Sequence, residues 1–209
     1  NTQNGKLGQI YLFSPGGDLA EAMKIGKAIR SLGISSMVPG MSDDNEPYCS
    51  DGGLPSINPK PKNLENCVCN SACFCIHVAA VHRGGYALGI HRPYFERKYF
   101  AQLSEKDAEL EFSFLVKESQ EYLNEMNVPQ SIQEMVFNTS SDKISMLKKE
   151  VIQQFFWGYL PARSEWIASK CPRNKSSDMQ SQLKYGKCIT TLSKDSKVNA
   201  YKKFFNKAS

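Results

Sequence analysis

Three observations predict an α/β fold for this chain of 209 residues. Short apolar runs stop abruptly at Gly, Pro, Asp or Ser. Longer stretches with a helical apolar period follow them. The two kinds alternate along residues 1–160, the order produced when parallel strands are joined by crossover helices.

The first run, Gln9-Ile10-Tyr11-Leu12-Phe13, is halted by Ser14-Pro15-Gly16-Gly17 and reads as a buried strand with a turn. Asp18 is placed to cap a helix over residues 19–32. Leu19, Met23, Ile25, Ala28, Ile29 and Leu32 form its stripe, and Gly33 sits where a left-handed C-terminal glycine belongs. Residues 34–38 predict a second strand. Residues 39–66 shift to Pro, Gly, Asp, Asn and Ser, which predicts a long loop or insertion of the kind that forms lids and binding elements.

An Ala-rich buried helix is expected over residues 71–81, then a break at Gly84-Gly85 and a strand over 86–90. Phe100, Leu103, Ala108, Leu110, Phe112, Leu115, Tyr122 and Leu123 give the charged segment 97–126 a helical period. Pro129 ends that helix or begins the next, which runs to about Phe137, and another is expected over 148–159. From Pro161 onward no repeat stands out.

A hydrophobic content of 41% describes a chain that buries a core rather than a disordered one. Its net charge of +5 is mild, with lysines gathered late, from Lys184 to Lys207. That pattern reads as a solvated terminal helix or tail, not a nucleic-acid surface. No apolar run approaches the ~20 residues of a membrane span. The chain begins at Asn1 without Met or signal peptide, so it reads as processed or trimmed, and the missing signal leaves the compartment open.

Seven cysteines favour an oxidising compartment, periplasmic or secreted, and their odd count leaves at least one thiol without an intrachain partner. Cys171 and Cys188 are placed to staple the C-terminal segment. Cys49 is placed to tether the 39–66 insertion to the Cys67–Cys75 region. The spacing of Cys67, Cys69, Cys73 and Cys75 only partly matches structural zinc sites, so disulfides or buried thiols are expected there and no metal or cofactor.

Three fragments carry chemistry. Gly16-Gly17, after a strand and before a helix, can present backbone N–H groups to an anion, although a Pro-Gly turn does this without function too. Ser71, in Cys69-Asn70-Ser71-Ala72-Cys73, stands at a strand-to-helix junction with the Ala72 N–H beside it, where it reads as a nucleophile or as a helix cap. His91, in Gly89-Ile90-His91-Arg92-Pro93, follows a strand and is the best candidate base. His77 reads as a core histidine, and His82 as a residue at a helix C-terminus.

Taken together, these fragments resemble the Clp-protease/crotonase superfamily, closest to bacterial periplasmic Clp-protease-like proteins, over residues 8–160. The resemblance implies a repeated β-β-α spiral core with a helical handle over 97–137; residues 161–209 fall outside it and read as a C-terminal basic extension. It implies that Ser71 is the nucleophile and His91 the base, with Gly16, Gly17 and Ala72 at the oxyanion or substrate site. The family's third member is an aspartate in a D-T-x-x-D-like stretch. The matching stretch here is Asn138-Thr139-Ser140-Ser141-Asp142, which puts Asn138 at the acid's position and leaves Asp142 as a substitute.

Two departures stand out: Asn138 itself, and the mere eight or so residues ahead of the first strand, where the family has a strand and helix. The expected function is a serine peptidase acting on peptides or proteins. The alternatives are a catalytically weak or inactive peptide- or protein-binding module, and an acyl-CoA enzyme of crotonase type. Homo-oligomers formed through the handle are implied as well.

Overall fold

The computed structural model describes residues 8–44, 46–49, 67–172 and 178–205. The apolar run at the start pairs as β1 (Gln9–Tyr11), and Asp18 accepts a 2.8 Å hydrogen bond from the Glu21 N–H to open α1 (Leu19–Leu32). Gly33 closes α1 in the left-handed region, at φ 64°, as its position predicts. Next come β2 (Ser35–Met37) and the hairpin β3 (Gly40–Met41) and β4 (Pro47–Tyr48), so the predicted insertion opens with paired strands. Residue 45 and residues 50–66 lie outside the described residues.

β5 (Cys69–Asn70) leads through Ser71 into α2 (Ala72–Ala79), then β6 (His82–Gly84) and β7 (Leu88–Ile90). The rest is α3 (Arg97–Phe100), α4 (Glu105–Glu125), α5 (Gln130–Asn138), β8 (Ser145–Met146), α6 (Lys149–Phe155), β9 (Gly158–Tyr159), α7 (Pro161–Lys170) and α8 (Met179–Phe205). Among the described residues this is a mixed α/β fold with eight helices and three small sheets.

The first sheet has the order β1-β2-β6-β9, parallel except for the antiparallel edge β9. The second is β5-β7-β8, with β5 and β7 parallel and β8 antiparallel. A parallel bridge between Ser14 and Cys69 adds the end of the first fragment beside β5. The core lies between α1, α2 and the C-terminal end of α4, around Phe74, Val78, Leu88, Ile90, Met126 and Phe156. Arg30 ties these helices together: its Nε donates to the Ala79 carbonyl at 2.6 Å, and Nη2 to those of Val78 and Met126 at 3.1 and 3.2 Å. It thereby satisfies carbonyls that helix ends leave unpaired.

Several expectations are corrected. His82 is not at a helix end; α2 stops at Ala79, and His82 opens β6 with its ring 4.5 Å from that of Tyr159 on the neighbouring strand. The helix expected over 148–159 ends at Phe155. Gly158, at φ 81°, turns the chain so that β9 covers the edge of β6. The segment 97–126 is two helices, because the Ser104 Oγ accepts from the Asp107 N–H at 3.2 Å and starts α4 afresh. The C-terminal segment without a visible repeat forms α7 and α8, α8 packs on α1, and the Cys171–Cys188 disulfide joins the end of α7 to α8.

The cysteine expectations resolve into three disulfides, Cys49–Cys67, Cys69–Cys73 and Cys171–Cys188, with Cys75 free and buried. Three of the four thiols that a metal reading required are thus consumed. Such bonds persist in oxidising compartments. Among the described residues, no helix is long and apolar enough to cross a membrane.

Candidate active site

The three fragments meet at the carboxyl ends of neighbouring parallel strands, where ligands collect in open α/β sheets. Ser14 N–H donates to the Val68 carbonyl at 2.8 Å and the Asn70 N–H returns a bond to the Ser14 carbonyl at 3.0 Å. On the other side of β5, Cys69 N–H donates to Ala87 O at 2.8 Å and Ser71 N–H to Gly89 O at 2.9 Å. The order Ser14–β5–β7 therefore lays the Gly-Gly turn, Ser71 and His91 side by side. All three line one open cavity of about 770 Å³, together with Ala72 and Asp142.

Ser71 is the decisive residue. At φ 57° and ψ −123° it is one of two non-glycine residues with positive φ among the described residues. Its side chain makes no capping bond to α2, so the cap reading leaves the strain without a return. A non-glycine residue in that region costs ~1–3 kcal/mol, and such positions cluster at active sites. A sharp strand-to-helix turn with a strained serine at its tip exposes the hydroxyl and sets the helix N-terminus behind it.

Gly16 lies directly against this serine. A Cβ placed on it would meet Ser71 Cβ at 2.9 Å and Oγ at 3.3 Å, and its φ of 132° already requires glycine. Its N–H is engaged, donating to Ser14 Oγ at 3.2 Å, while that hydroxyl donates to the Gly16 carbonyl at 3.0 Å. Gly17 differs: a Cβ there would meet nothing within 4 Å. Gly16 therefore shapes the turn, and Gly17 and Ala72 are the positions with backbone N–H groups to offer.

His91 projects from the end of β7, half-buried, with Nδ1 at 2.7 Å from the Arg92 carbonyl. A carbonyl only accepts, so Nδ1 carries the proton and Nε2 is left as the acceptor. Among the described residues no carboxylate is hydrogen-bonded to Nδ1. Tyr94 flanks the imidazole at 5.5 Å between ring centres. A direct Ser71–His91 hydrogen bond is not made in this structure, and such bonds commonly tighten only with substrate in place.

The two candidate third residues separate. Asn138 ends α5, exposed, and is not part of the cavity wall. Asp142 is part of it. The Arg92 N–H bond to the Thr139 carbonyl, 3.0 Å, ties the segment after α5 to the residue beside His91. A hydrogen bond from Ser140, a backbone hydrogen bond, and the nearby Lys143 and Arg92 charges hold the Asp142 carboxyl below its usual range. It is a carboxylate at neutral pH, within reach of the cavity but not bonded to His91.

No family model, curated protein or solved structure matches this chain.

Two features of the site were missed from sequence. Tyr94, Phe95, Tyr99 and Tyr122 give the cavity an aromatic wall, for which the run Pro93-Tyr94-Phe95 was an available signal. The Cys69–Cys73 disulfide brackets Ser71, and the symmetric spacing of two cysteines around one serine was its signal.

Proposed function

We propose that the protein is a serine hydrolase, with peptides or proteins as substrates, built on the spiral core and helical handle of the Clp-protease/crotonase superfamily. The strained conformation of Ser71, in the cavity that His91 also lines, carries this reading. Ser71 Oγ attacks the substrate carbonyl while His91 Nε2 takes its proton. The Gly17 and Ala72 amides hold the oxyanion, an interaction worth ~2.7–4 kcal/mol for one donor. The imidazolium then protonates the leaving amine, and water, activated by the same imidazole, hydrolyses the acyl-enzyme.

In this scheme the Arg92 carbonyl orients the imidazole and Asp142 adds a negative charge nearby, while Asn138 takes no part. Homo-oligomers fit the same reading, because α4 exposes Leu110 and Phe114. The three disulfides fit a periplasmic or secreted location. The test is cleavage of a fluorophore-labelled unfolded protein, which wild type performs and Ser71→Ala does not.

One observation favours a second reading, a peptide- or protein-binding module without turnover. The His91 Nδ1 partner is a carbonyl, which stabilises an imidazolium less than a carboxylate does. Saturable peptide binding with equal, background cleavage by wild type and Ser71→Ala decides for that module.

A further inference from the structure

Five residues, Cys69 to Cys73, carry Ser71 at their centre, and a disulfide joins their ends. The Cα atoms of Cys69 and Cys73 are 5.1 Å apart. Residues four apart in an extended chain are ~13 Å apart, so the chain must reverse between these two. Asn70 still belongs to β5 and Ala72 already to α2, which leaves Ser71 to make the reversal. If Ser71 relaxed to an extended conformation, the ends would part beyond the ~7 Å that a disulfide spans.

We propose that the Cys69–Cys73 disulfide is a positioning element that holds Ser71 in its left-handed conformation and its hydroxyl at the cavity. The proposal rests on reading Ser71 as the nucleophile. Three observations make it a clamp on the site rather than a general staple or a reversible switch. It closes the shortest loop of the three disulfides, with a sequence separation of 4 against 18 and 17. Loop-closure entropy grows with length, so this bond contributes least to global stability in the chain-entropy account.

Cys69 and Cys73 are also 0% and 3% exposed, out of reach of a dissolved thiol while the fold is intact. The one other thiol nearby in sequence, Cys75, is itself buried, with its pKa raised to about 12 by that burial, so no thiolate stands ready for exchange. Finally, β5 has only two residues, so the strand pairing that leads into the turn is short.

The experiment compares Cys69→Ala/Cys73→Ala with Cys171→Ala/Cys188→Ala as a control. Two quantities are read: the saturating rate of Ser71 phosphonylation by a fluorophosphonate, and hydrogen exchange at the Ser71 amide, which donates to Gly89. The expected result for the 69/73 variant is a rate at least tenfold lower, a half-saturating concentration within threefold, and exchange at least tenfold faster. The control keeps both within twofold while its melting temperature falls further.

A 69/73 variant within twofold of wild type, or an equal loss in the control, overturns the proposal. If wild type is not phosphonylated, the hydrolase reading fails. Amide exchange still decides the clamp: unchanged exchange overturns it, and faster exchange upholds it. Should the 69/73 variant fail to fold, Ser71→Gly in the same chain must restore folding, since glycine adopts the conformation unaided. Failure to fold in both backgrounds overturns the proposal.

Discussion

Gly16→Ala probes the turn that Ser71 leans on, and Gly17→Ala is its internal control. Both positions carry a positive φ, 132° and 155°, so each alanine meets a backbone cost of ~1–3 kcal/mol. The two differ in what the new methyl group touches. At Gly16 it stands 2.9 Å from Ser71 Cβ, where carbon atoms settle at ~3.5–4.0 Å. Something must give by ~0.6–1 Å, and the partner that moves is Ser71. At Gly17 it meets nothing within 4 Å.

Both variants should therefore lose stability, and Gly16→Ala more, because its methyl group is also overpacked against Ser71. Gly16→Ala should slow fluorophosphonate labelling ~100-fold, the usual result of misplacing a reacting group by ~1 Å. Gly17→Ala should stay within about tenfold of wild type, because its methyl group meets nothing within 4 Å and leaves Ser71 where it is. Labelling kinetics with thermal melts as the folding control measure both. If Gly16→Ala labels at the wild-type rate while folded, the contact between Gly16 and Ser71 does not govern the site.

Replacing Asp142 by Asn should lower the labelling rate several-fold, whereas Asn138→Ala should leave it within twofold, because only Asp142 lines the cavity. A larger loss at Asn138 would restore it as the orienting residue. His77 predicts an acid-sensitive fold. Burial, and then the Arg83 charge, lower its pKa to about 3, against ~6.5 in the unfolded chain. The unfolded state binds more protons between those values, so stability falls as pH drops below ~6.5, with about 2 kcal/mol lost between pH 7 and pH 5. Urea unfolding at both pH values should show that loss in wild type and a smaller one in His77→Asn; equal losses remove His77 from the account. Cys75, with its thiol pushed up to about 12 by burial, should resist iodoacetamide at pH 8 in the native protein and react after denaturation. Rapid native alkylation at Cys75 would mean that the core around α2 opens readily.

Much of the first half was legible because its signals are local. Asp18, the stripe from Leu19 to Leu32, and Gly33 each act within a few residues, and α1 forms over residues 19–32 as they predict. Ser71 and His91 were legible as candidates because each follows a run that pairs as a strand. What stayed hidden is what long-range pairing decides. β8 and β9 are two residues each and exist only because β7 and β6 offer unpaired edges. His82 looks like the end of an apolar helix until Tyr159, far along the chain, supplies its neighbour. Asp142 reaches the cavity through the Arg92–Thr139 backbone bond, which no spacing of side chains announces. The C-terminal helices lacked a strong apolar stripe, since one disulfide and packing on α1 hold α8.

The most direct measurement of the central claim is the mass-spectrometric map of a fluorophosphonate adduct on the native protein. One adduct is expected, on Ser71, absent from Ser71→Ala and suppressed in His91→Ala. An unlabelled wild-type protein, or an adduct that persists in Ser71→Ala, would contradict it.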